Sequence, residues 1–247
     1  MESKRTFKEI SELWQNEKKK YVKKSTFAAY SLILCNHLVP AFGDLTEIDE
    51  SRVQDFVFRK LDDGKSTKTV KDMLVVLKMV MKFAAKYEYM PFRQIDVRYP
   101  TERERNDIPV LCRADQRRIM NYLSENFSFR NLGVYICLSA GLRIGEVCAL
   151  KWKDFDVTRG VISIDKTLQR VYFVDEGKRH TELVIDTPKS ANSMREVPMT
   201  KELGKIVKQL MRVVNPSFYV LTNCDKPTEP RTYRNYYKKL MVKIGIP

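Results

Sequence analysis

From Ser66 to about Tyr87 the chain runs without a proline or a glycine. At 100° per residue, Val70, Met73, Leu74, Leu77, Met81 and Ala84 fall on one side of a helix. Lys71, Lys78, Lys82 and Lys86 fall on another, roughly 90–170° from the apolar centre. A helix so divided must bury one face against neighbours, and the preceding residues supply them. Phe7, Ile10, Leu13 and Trp14 repeat at helical steps. A second helix is expected after Ser25-Thr26, stopping before Pro40 and Gly43. A third is expected from Ser51 to Asp63, with Gly64 as its stop. The first ninety residues therefore read as four helices.

Residues 91–109 hold three prolines and a dense run of charges without a sustained period, and read as a linker. A second helical block follows over Arg113–Glu125, Phe129–Ala140 and Arg143–Leu150. The period then changes to short strands at Val161–Asp165, Val171–Val174, Leu183–Ile185 and Glu196–Met199. Helices return at Lys201–Val214 and Tyr233–Lys243. The expected organisation is a helical domain over 1–90, a linker over 91–109 and a second domain over 110–247. The expected class is mainly α with a small antiparallel β-sheet.

Charge narrows the function. The chain carries 45 Lys and Arg against 31 Asp and Glu, a net +14. The first hundred residues hold 19 basic and 14 acidic side chains, and the remainder 26 and 17. Both blocks thus look built to face one polyanion. The apolar stretches Met73–Phe83 and Leu132–Leu142 fall short of the ~20 residues a membrane span requires. Met-Glu-Ser-Lys-Arg at the start lacks a signal-peptide core. A cytoplasmic location without a membrane partner is expected. Cys35, Cys112, Cys137, Cys148 and Cys224 lie 77, 25, 11 and 76 residues apart, which fits neither a zinc site nor a disulfide framework. They are expected to be reduced and mostly buried. No glycine loop of the phosphate-binding type is present.

Ser139–Asp156 concentrates the chemistry. An apolar helix ends at Gly141 and another is expected to begin with Arg143 in its first turn, where a guanidinium fork suits a phosphate oxygen. Glu146 lies one turn on, able to hold that guanidinium in one orientation. The run Gly141-Leu-Arg-Ile-Gly-Glu-Val-Cys-Ala-Leu-Lys-Trp152 resembles the first arginine box of the tyrosine recombinases, the phage-integrase family. The four-helix block is similar to that family's core-binding (SAM-like) domain. Ile108-Pro-Val-Leu-Cys-Arg-Ala-Asp-Gln116 resembles the opening of its α+β catalytic domain. Ile185-Asp-Thr-Pro-Lys-Ser-Ala-Asn-Ser-Met-Arg-Glu-Val-Pro-Met199 resembles the β-hairpin that presents the family's lysine, which puts Lys189 in that place.

The resemblance implies duplex DNA as the partner, self-association on DNA, and strand exchange through a 3′-phosphotyrosyl link. It implies no metal, no cofactor and no small-molecule substrate. Fixed cations then take the charge-stabilising role: Arg143 as a donor fork, and Lys189 as proton donor to the departing 5′-oxygen. Glu146 orients Arg143. Lys65, Lys68, Lys71, Lys78 and Lys82 are the candidate phosphate contacts of the helical domain. The family's His-x-x-Arg box and nucleophilic tyrosine come later than Arg234-Asn-Tyr-Tyr-Lys-Lys-Leu-Met-Val-Lys-Ile-Gly-Ile-Pro247, and neither His37 nor His180 fits the box. Tyr219, Tyr233, Tyr236 and Tyr237 do not match the nucleophile's position. The expectation is a member truncated before those elements and unable to cleave. The alternative is a non-enzymatic DNA-binding module that occupies recombination sites and competes with a full-length recombinase.

Overall fold

The computed structural model describes residues 4–91, 93–100, 110–175, 178–187 and 194–246. Two compact units divide the chain: Met1–Asn106 with Val171–Thr181, and Asp107–Arg170 with Glu182–Pro247.

The first unit is built on helices. Helix α1 (Phe7–Lys18) opens with a reciprocal cap. The Thr6 N–H donates to Glu9 Oε2 at 2.8 Å, and the Glu9 N–H donates to Thr6 Oγ1 at 3.4 Å. Helix α2 (Lys24–Ile33) does not stop before Pro40, as expected, but continues through a π turn (Leu34–Leu38) into α3 (Val39–Phe42). Proline lacks a donor, and its ring crowds the carbonyl four residues back. The wider π turn, in which the Val39 N–H reaches back to Leu34 O, loosens the ladder where this crowding falls.

Helix α4 (Glu50–Asp62) is capped by Asp49, and α5 (Thr67–Lys86) by Ser66. The apolar face read from the sequence is the packed one: Val70, Met73, Leu74, Leu77, Met81 and Ala84 join Phe7, Ile10, Trp14, Phe42 and Phe56 in one core. Phe42 contacts the rings of Phe7 and Phe56, with centroids 6.1 and 5.2 Å apart. The run Lys24–Phe42, not singled out in the sequence, is long and apolar enough to cross a membrane by length and composition, with a mean hydropathy of 1.2. In this fold its Leu34, Leu38 and Phe42 are core residues.

Residues 93–100, expected as linker, pack onto this unit. Ile95 is buried, and the Gln54 side chain accepts from the Arg98 N–H at 2.8 Å while donating to its carbonyl at 3.0 Å.

In the second unit, α6 (Arg113–Glu125), α7 (Phe129–Ala140), α8 (Ile144–Ala149) and α10 (Pro230–Ile244) share one apolar cluster. The second cluster packs α9 (Lys201–Leu210) through Leu203 and Val207 onto Trp152, Ile162 and Ile164. Strands β1 (Phe155–Asp156), β2 (Val161–Ile164) and β5 (Arg195–Pro198) form an antiparallel sheet in the order β1-β2-β5, with Ile162 opposite Val197. Strands β3 (Thr167–Asp175) and β4 (Lys178–Asp186) form a separate pair, both longer than expected.

Among the described residues, Ile185–Met199 is therefore not one hairpin. Its first residues end β4, and its last lie in β5, which pairs with β2. In that pairing Val197 stands opposite the buried Ile162, and Arg195 opposite the buried Ile164. The thiols also differ from expectation. Cys148 is buried, whereas Cys35 and Cys112 are exposed, and the Cys112 sulfur caps α6 by accepting from the Asp115 N–H at 3.4 Å.

Phe42→Ala should lower the protection of α5 amides in native-state hydrogen exchange by about 3–5 kcal/mol, the penalty of emptying a large aromatic site. A loss below about 1 kcal/mol would contradict the packing described.

Candidate functional site

Gly141 ends α7 at φ 65°, a left-handed conformation that glycine adopts without strain, and its N–H donates to Cys137 O at 3.0 Å. Arg143 follows with extended geometry as the N-cap of α8, one residue earlier than its expected place in the first turn. The reason is local. Its backbone N–H donates to Glu146 Oε2 at 2.9 Å, so the carboxylate three residues on closes the helix start. In the same turn, a side chain at Gly145 would fall against Thr167 Oγ1 and within 2.9 Å of Leu168 O. Glycine thus lets α8 lie directly on the start of β3.

The expected Arg143–Glu146 pair is present, with Nη1 donating to Oε1 at 3.0 Å. The structure adds a third member. Arg195, the first residue of β5, donates to the same carboxylate through two parallel bonds: Nη1 to Oε1 at 3.0 Å and Nη2 to Oε2 at 2.9 Å. Glu146 therefore accepts four hydrogen bonds at only 3% side-chain exposure. Burial by itself pushes its carboxyl upward, but the donors from Arg195 and Arg143 overcome this and hold it below the usual carboxylate range. Arg195 occurs within the lysine-hairpin motif, yet its partner lies 49 residues away, and no local spacing announces the pair.

The geometry separates the two guanidiniums. The Arg195 side chain is 28% exposed and both of its terminal nitrogens are used on Glu146. The Arg143 side chain is 71% exposed, and among the described residues its Nη2 and Nε have no protein partner. With the Glu146 charge already met by Arg195, Arg143 keeps open donors on a restrained side chain, an arrangement suited to an external oxyanion. Lys189 lies outside the described residues.

Two of the tyrosine hydroxyls of this unit are engaged within it. Tyr233 is buried and donates to Arg130 O at 2.8 Å, and burial raises its pKa. Tyr236 donates to Asn131 Oδ1 at 2.5 Å. Burial pushes the Cys137 and Cys148 thiols up to about 12, which keeps them protonated at neutral pH.

In the first unit, Lys65, Lys68, Lys71, Lys78 and Lys82 are all exposed, and none is ion-paired among the described residues. Lys65 follows Gly64, whose φ of 75° ends α4, and the other four stand on α5. The Lys71 ammonium lies 4.8 Å from the centroid of the Tyr99 ring, which orders it without neutralising it.

Residues 110–247 match the phage integrase family, and residues 6–61 match the phage integrase N-terminal SAM-like domain. The chain belongs to the phage integrase family. Among its relatives is a tyrosine recombinase XerC-like protein of Caldanaerobacter subterraneus subsp. tengcongensis, 23% identical over 250 residues. That match takes in 91% of this chain and 63% of the relative. The integrase of Staphylococcus phage L54a is 25% identical over 194 residues, or 68% of this chain and 51% of that protein. The chain thus spans between half and two thirds of these relatives' lengths.

The fold matches the Tn1549 transposon integrase solved with a circular intermediate DNA, at a TM-score of 0.75 and 19% identity, over 98% of this chain and 79% of that one. Lambda integrase bound to DNA matches at a TM-score of 0.65 and 13% identity, with the same coverage.

The Glu146 clamp carries a pH signature. Its folded pKa lies below the unfolded value of about 4.3, so its stabilisation is complete above that value and is lost as pH falls through the lower folded one. The Glu146→Gln variant should be about 3 kcal/mol less stable at neutral pH and should lose less stability than the parent on acidification. Each unit holds one tryptophan, so Trp152 fluorescence in a Trp14→Phe background reports this unit during urea unfolding. Equal acid sensitivity of the two proteins would exclude the clamp.

Proposed function

We propose that this chain binds duplex DNA at sites of integrase-type recombination, gripping the backbone with the helical domain (1–90) and the catalytic-type domain (110–247). The observation that carries the reading is the partition at Glu146. Arg195 satisfies the buried carboxylate, and Arg143 is left restrained, charged and open to solvent in a chain of the phage integrase family.

In the strand-exchange chemistry of the family, negative charge grows on the non-bridging oxygens of the scissile phosphate. A guanidinium fork already held in place meets that charge without reorganising. Arg143 has that role here, and Lys189 is the donor to the departing 5′-oxygen. Glu146 acts through Arg143 as a positioning residue, and Arg195 acts through Glu146. Lys65, Lys68, Lys71, Lys78 and Lys82 supply cations to the phosphate backbone, which displaces condensed counterions and makes binding fall with salt.

The 247 residues hold no His-x-x-Arg sequence, and Tyr233 and Tyr236, whose hydroxyls bond inside the unit, are poor nucleophiles. This polypeptide by itself is therefore proposed to bind without cleaving.

Fluorescence anisotropy with a labelled duplex should give an affinity that drops steeply with salt. Replacing the five lysines by alanine should reduce the slope of log K against log salt by about 4.5, near 0.9 per phosphate contact. Arg143→Ala should weaken binding on the order of tenfold, about 1.4 kcal/mol. A salt slope unchanged by the five substitutions would remove the lysines from the interface. On a nicked suicide duplex, denaturing electrophoresis should show no slow-migrating covalent species, and its appearance would overturn the non-cleaving reading.

A further inference from the structure

One residue breaks the pattern of the α5 outer face. At 100° per residue, positions 68, 71, 75, 78, 82 and 86 fall within about 80° of arc, and five of the six are lysine. The sixth is Val75, which is 55% exposed although every other valine of α5 (Val70, Val76 and Val80) is fully buried. A β-branched side chain loses rotamer freedom in a helix, and here it gains no packing in return. It contributes nothing to the core that an alanine or a sixth lysine would forfeit. Phe58 is also exposed, but it lies among Arg52, Asp55, Arg59 and Asp62, whose charges balance, and not in a row of unpaired cations.

We propose that Val75 reads a base edge in the major groove, its apolar side chain packing on the C5-methyl of a thymine while the flanking lysines hold the two phosphate walls. This rests on the DNA-binding reading above and adds the residue that gives the helical domain a sequence preference.

The dimensions fit. A major groove about 12 Å wide admits one α-helix. Lys71 lies about 6 Å along the axis on one side of Val75, and Lys78 and Lys82 lie about 4.5 and 10.5 Å on the other. Lysine side chains extend several ångströms beyond the helix surface and carry the charge outward, whereas valine is short and stays at the centre of the contact. Lysine contacts to phosphate set register but carry no base information. An apolar group among them has one distinctive complement on a base edge, the thymine methyl. The Tyr99 ring beside the Lys71 ammonium keeps one of these phosphate-directed cations in place.

The test is selection from a randomised duplex library at fixed salt, with the intact 247-residue chain and its Val75→Ala variant. Alanine favours the helix, so the variant should fold. The parent should enrich an A·T pair at one position where the variant shows no preference. On the selected duplex, replacing that thymine by uracil should weaken the parent about fourfold, near the value of one buried methyl-sized group, and leave the variant unchanged. The same motif and the same uracil response in both proteins would overturn the assignment. Duplex binding by the parent without any base preference would overturn it while leaving the DNA-binding reading intact. If neither protein retains duplex DNA, both fall together.

Discussion

The Glu146 carboxylate is the point on which the catalytic-type unit is organised. A carboxylate at 3% exposure is stable only if its charge and lone pairs are met, and here four donors meet them. Those donors come from two places far apart in the chain: the backbone and side chain of Arg143 before α8, and the fork of Arg195 at the start of β5. One buried charge therefore fixes the helix start, joins it to the three-stranded sheet and sets the orientation of Arg143. Gly145, which lets α8 lie against Thr167 and Leu168, gives the same turn its close seat on β3.

Charge elsewhere follows a simpler rule. The lysines of α5 are exposed and lack ion-pair partners among the described residues, so their mutual repulsion is relieved only by solvent, salt or a bound polyanion. A comparable line stands on α9, where Lys201, Lys205 and Lys208 are exposed at helical spacing, with Arg212 exposed in the turn just beyond its end. The unit that buries a carboxylate neutralises it locally through Arg195, whereas Arg143 and the α9 lysines are left outward. That asymmetry, more than the net charge, is what a DNA-facing protein requires.

How much of this was legible in the sequence depends on the range of the interaction. Helix α5, with its apolar and lysine faces, was legible because both faces repeat within one segment. Arg143 and Glu146 were legible for the same reason, being three residues apart. Arg195 was not, since its partner lies in another element and only the fold brings them together. The passage of the second helix through Pro40 was hidden because a π turn absorbs the crowding that ordinarily ends a helix there. The two-sheet topology was hidden because short strands carry no record of their partners, and β5 could pair with β4 or β2 on pattern alone. Lys189 was read by resemblance and lies outside the described residues.

The central claim is that Glu146 and Arg195 act as one unit in holding the site. A double-mutant cycle of Glu146→Gln and Arg195→Met measures this directly, with urea unfolding followed by Trp152 fluorescence in the Trp14→Phe background. The account predicts that the double variant is more stable than the sum of the single losses implies, with a coupling of about 1–3 kcal/mol. Losses that add to within about 0.5 kcal/mol would contradict it.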